Sequence, residues 1–135
     1  MITNVNKNKK EIKNFLDHIN AVDNNDFRII NRKVEKEKNP WDFLNKLEYN
    51  VDDMINEIKR LSYQDYLRCQ IDTENNFLFM YCFIKIIKEY IVFIKLSIVE
   101  KDREIVYVIS FHEAYKDELM ERPYKEGKQW IFLKY

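Results

Sequence analysis

The chain has 135 residues, 46% of them apolar and 15% aromatic, which excludes a disordered polymer and suits one domain, 1–135, with a real core. Its 23 acidic and 23 basic residues cancel, so any nucleic-acid site must come from local clustering of Lys and Arg, not from the field of the whole molecule. With one glycine and two prolines, a glycine-built phosphate loop is excluded.

In chain order, residues 1–8 are polar and predict a frayed end. Ile12, Phe15, Leu16, Ile19 and Val22 recur at helical spacing and predict an amphipathic helix over 9–21. "VDNND" (22–26) is a turn cluster, and "FRIIN" (27–31) can form a short strand. The mixed-sign run "RKVEKEK" (32–38) reads as a solvated loop or helix face. Asn39-Pro40 marks a helix start, after which Trp41, Leu44 and Leu47 share a side. Asn50 and Asp53 cap a further helix whose buried stripe is Val51, Met54, Ile55, Ile58 and Leu61. Ser62 with Asp65 predicts one more capped turn, carrying Tyr63 and Tyr66, with Arg68 on the loop beyond it.

The period then changes. "FLFMYCFIKII" (77–87), "YIVFIKLSIV" (90–99) and "EIVYVISF" (104–111) are β-branched and aromatic, joined by short polar connections, and predict consecutive antiparallel strands. In the second, Val92, Ile94, Leu96 and Ile98 face one way and Phe93, Lys95 and Ser97 the other; in the third, Val106, Val108, Ser110 and His112 alternate onto one face. Residues 115–135 extend the chain and end in "KQWIFLKY" (128–135), a further strand candidate. Helices first and strands later predict an α+β fold, with N-terminal helices packed on a curled antiparallel sheet.

The start lacks the apolar core of a signal peptide. The apolar stretch 77–99 is broken by Lys85, Lys88, Glu89 and Lys95, so it does not read as a membrane span, and a cytoplasmic location is expected. Cys69 and Cys82 read as reduced thiols, although one disulfide is open to them. His18 and His112 lie far apart, and neither sits in a local His/Cys/carboxylate cluster, so no metal or cofactor is expected.

What chemistry remains is cations beside a titratable group. His112 closes an apolar strand, and imidazole is the side chain suited to proton transfer near neutral pH; Lys95 lies within another apolar strand; Arg68 follows the capped turn. On one surface these three suit RNA cleavage without a metal. One group takes the 2′-OH proton, cations hold the phosphate, and an acid protonates the leaving 5′-oxygen. Tyr66, Tyr81 and Phe93 could stack bases. The plainer alternatives stay open: a strand-end histidine is often structural, Lys95 can snorkel from a sheet edge, and the aromatic run at 77–83 suits a core.

The order of segments resembles the MqsR family of toxin–antitoxin toxins, which share the RelE-like ribonuclease fold. "EIKNFLDHI" is similar to that family's first helix, and "FLNKLEYNVDDMINEIKRLSYQDYLR" to its helix pair and Leu-Ser-x-x-Asp-aromatic turn. "VFIKL" and "VISFHEA" resemble its later strands; the likeness covers roughly residues 9–114. The family's lysine after the turn falls on Arg68, its first-strand glutamine on Met80, its strand tyrosine on Phe93 and its last-strand lysine on His112. The resemblance implies a RelE/MqsR-like fold and a sequence-selective, metal-independent mRNA endonuclease. The partners it implies are mRNA and a neutralising protein antitoxin, of a kind that can carry a helix-turn-helix. A toxin fold that has lost catalysis and binds a protein as inhibitor or regulator is the other reading.

Overall fold

The structure, a computed structural model, is described for residues 1–30, 40–74, 78–100 and 102–127. Its helices begin where the capping residues put them. Asn8 opens α1 (Lys9–Ala21) by accepting from the Glu11 amide at 2.9 Å, and the Glu11 carboxylate accepts from the Asn8 amide at 3.1 Å. Asn50 and Asp53 make the same reciprocal pair at the start of α3 (Val51–Lys59). Between them lies α2 (Pro40–Leu47). Asn39, the expected cap of α2, the run 32–38 and the expected strand 128–135 lie outside the described residues.

The remaining elements are β1 (Ile2–Val5), β2 (Phe27–Ile29), β3 (Tyr66–Asp72), β4 (Leu78–Ile87), β5 (Tyr90–Glu100) and β6 (Glu104–Glu113). They form one sheet in the order β1-β3-β4-β5-β6-β2, which is not closed into a barrel. The three long strands fall within a few residues of the spans expected from their composition. Two corrections follow from the edges. The sheet is mixed rather than antiparallel, because β2 runs parallel to β6, pairing Phe27 with Val106 and Ile29 with Val108. Residues 2–5 are not frayed: they pair with β3, from Ile2 opposite Asp72 to Val5 opposite Cys69. The chain therefore starts at one edge of the sheet, crosses it as α1, and returns at the other edge as β2.

The helices supply one face of the core. Ile12, Leu16, Ile19, Leu44, Leu47, Met54, Ile55 and Ile58 pack with Phe83, Val92, Ile94, Leu96, Val106, Val108 and Phe111 in one buried cluster. Each fully buried Leu or Ile contributes roughly 2 kcal/mol of transfer free energy.

A bulge decides what faces away from the helices. Leu96 pairs with Val108 but Lys95 pairs with Ser110, so Ile109 is an extra residue in β6. Strict alternation would put Val106, Val108, Ser110 and His112 on one face. The extra residue reverses the parity: Val106 and Val108 face the helices, and Ser110 and His112 sit opposite Lys95 and Phe93 on the second face. That second face is covered by the chain after β6, where Ala114 and Leu119 pack on Ile84 and Ile91.

Candidate functional site

Arg68, Lys95 and His112 come together on the second face. Arg68 pairs across the sheet with Cys82, Cys82 with Lys95, and Lys95 with Ser110, forming one row over four strands. The neighbouring row is Ile84, Phe93 and His112. Arg68 is not on a loop, as its place after the turn predicted, but in β3, where a register shift between Tyr66 and Arg68 bends the strand. Its guanidinium lies 5.7 Å from the centre of the Phe93 ring.

Cys82 sits at the middle of this row, fully buried and unbridged. Burial pushes its thiol up to about 11; Lys95 and Arg68 pull it back, and Glu118 adds to the rise. The same charges that would hold a phosphate are thus close enough to act on a buried sulfur, together with one carboxylate from the covering segment.

His112 is 3% exposed. Its ring is stacked between Phe93, at 5.4 Å, and Tyr115, at 5.0 Å. Nδ1 lies 2.8 Å from the carbonyl oxygen of Glu113, and because a carbonyl only accepts, Nδ1 carries a proton and donates. The carboxylate of Glu118 stands 3.8 Å from the same nitrogen and accepts from the Tyr115 amide at 2.8 Å. Nε2, the nitrogen left to exchange a proton, is buried with no hydrogen-bond partner among the described residues.

The cover is anchored by further polar contacts. Arg122, 2% exposed, donates to the Ile84 carbonyl at 3.4 Å and lies 3.6 Å from Asp65. Burial lowers its affinity for the proton, and Asp65 raises it. Met120 reaches Arg68, and the Tyr124 hydroxyl donates to the Lys7 carbonyl at 2.7 Å.

Tyr66 and Tyr81 do not join this face. Both belong to the helix-side core. Tyr66 meets the Phe83 ring edge-on at 6.1 Å, and burial raises its hydroxyl pKa. Tyr81 stacks on Phe15 of α1 at 3.8 Å, and burial pushes its hydroxyl up to about 12. Of the proposed base-stacking rings only Phe93 shares the face of Arg68 and Lys95, and His112 already occupies its flank.

A cleft of about 370 Å³ opens on the other side of the molecule, lined by Phe15, His18, Phe79, Tyr81, Ile98 and Glu100. At its rim the ligand atoms of His18, Glu100 and Glu104 lie within 4.8 Å of one another. This corrects the expectation that His18 has no such neighbours. No local spacing could reveal the group, because it forms only when the end of α1 packs beside the β5–β6 hairpin.

The chain matches no family model and no curated protein. Among the described residues, no helix is long and apolar enough to cross a membrane.

Proposed function

We propose that the chain is a cytoplasmic endoribonuclease of the toxin–antitoxin kind, with a RelE/MqsR-like fold, cutting mRNA by side-chain proton transfer without a metal. A protein antitoxin would hold it in check. The observation that supports this is the convergence of Arg68, Lys95 and His112 on one sheet face from three separate strands. In this reading Arg68 and Lys95 hold the scissile phosphate as charge builds on it, and Nε2 of His112 exchanges the proton. The 2′-oxygen attacks phosphorus, the bond to the 5′-oxygen breaks, and the products are a cyclic phosphate and a 5′-hydroxyl. Tyr115 and Glu118 cover His112, so RNA entry requires the segment after β6 to move.

That same cover favours a second reading. A histidine held between two rings is also a packing residue, and the fold would then serve to bind a protein partner, without catalysis. The test incubates the wild type, Lys95→Gln, Arg68→Gln and His112→Gln with a structured mRNA in EDTA and maps the cut ends. Discrete cuts with 5′-hydroxyl ends, slowed roughly 10²–10⁴-fold in folded variants, support the ribonuclease. No cuts from folded wild type, nor from a folded Tyr115→Ala protein, would leave the binding reading.

A further inference from the structure

We propose that His18, Glu100 and Glu104 form a binding site for a divalent transition-metal ion. The ligands come from three elements: the last turn of α1 and the facing ends of β5 and β6. Glu100 and Glu104 are direct cross-strand partners. Two carboxylates in that relation repel one another, and a sheet carries such a pair at a cost unless a cation stands between them. Among the described residues, the group that approaches them is His18, whose Nδ1 is 3.7 Å from Glu104. Arg103, in the same hairpin, is engaged elsewhere, with Nε 2.8 Å from Asp26.

The donor set selects the metal. One imidazole and two carboxylates suit zinc, nickel, cobalt or manganese, whereas magnesium and calcium favour oxygen ligands alone. Donor atoms around zinc stand about 3.4 Å apart, as bond lengths of about 2.1 Å in a tetrahedron require. The ligand atoms already lie within 4.8 Å of one another, a spacing that side-chain rotation can close. His18 and Glu104 are free to make it, their side chains being 56% and 40% exposed. Three protein ligands leave a coordination position for water or a small anion. His18 and Glu100 also line the aromatic cleft, so that position would lie at its mouth.

The site is independent of the Arg68–Lys95–His112 face, and its test does not read RNA cleavage. The EDTA-treated and desalted full chain is titrated with Zn²⁺ by calorimetry and with Co²⁺ by absorption spectroscopy. Wild type is compared with His18→Ala and with Glu100→Gln/Glu104→Gln. The expected result is one ion per chain, d–d bands without an intense sulfur charge-transfer band, and affinity at least tenfold weaker in both variants. Circular dichroism should be unchanged, because the substituted side chains are surface groups. Absence of binding at millimolar Zn²⁺ would overturn the proposal. So would affinity unchanged in the variants, or a sulfur band assigning the ion to Cys69 or Cys82.

Discussion

Replacing His112 with alanine removes a ring packed between Phe93 and Tyr115 and leaves a cavity under the covering segment. The expected loss is about 3 kcal/mol, read from urea unfolding midpoints at constant m-value. Tyr115→Ala should uncover the same ring. Diethyl pyrocarbonate should then modify two histidines in that variant, where the wild type offers only exposed His18. Equal modification in both proteins would show that Tyr115 is not what shields His112. At this scale the sequence is informative about residue type and silent about cover. A histidine ending an apolar strand is conspicuous, and so is a lysine within one. That Tyr115 and Glu118 lie over His112 depends on a chain reversal after Glu113 that no periodicity encodes. Tyr66 and Tyr81 show the opposite limit: they are aromatic residues suited to bases or to a core, and only their packing in the helix-side cluster, Tyr81 on Phe15 and Tyr66 on Phe83, decides for the core.

Among the elements, the C-terminus of α2 holds a strained residue. The Tyr49 amide donates to the Leu44 carbonyl at 2.9 Å and the Glu48 amide to Asn45 at 3.1 Å, with Glu48 itself at φ 60°. This is a Schellman ending in which the left-handed position favours glycine. Glu48→Gly should therefore raise stability by about 0.5–1 kcal/mol, measurable as a higher thermal midpoint. The two-residue turn from β4 to β5 also begins on a left-handed residue, Lys88 at φ 55°. Here a side-chain contact compensates: the Lys88 ammonium donates to the Leu47 carbonyl at the end of α2 and lies 5.0 Å from the Tyr49 ring. Lys88→Met keeps the strain and loses the contact, for an expected cost of about 1 kcal/mol by the same melting measurement. The capped helices and the three long strands were legible because caps and period-two apolar runs are local signals. β3 was not read, because the capped turn before it drew Arg68 into a loop and the irregularity at Leu67 breaks the alternation of faces, Leu67 packing with Cys82 and Phe93 while Cys69 joins the helix-side core. β1 was not: its residues "ITNV" are largely exposed, and only the partner strand makes them a strand.

For the whole molecule, the buried thiols set an alkaline limit. Burial pushes Cys69 up to about 12 and Cys82 up to about 11, from an ordinary value near 9. Unfolded, both lose their protons first, so the stabilisation is complete below pH 9 and is lost as the pH rises toward 11 and 12. Denaturant midpoints should fall steadily across that window, and Cys69→Ser/Cys82→Ser should flatten the dependence. A thiol reagent at pH 8 should react with neither cysteine until the protein unfolds. The path of the chain bears on its synthesis as well. β3 to β6 form a meander of neighbours in sequence, whereas β1 must wait for residues 69–72, and β2 for 106–108. On a ribosome, β1 and β2 are thus each made well before the strand they pair with, and β2 waits for the last strand of the meander. α1, made before any strand of that meander, leaves the exit tunnel with its apolar stripe uncovered until the sheet follows.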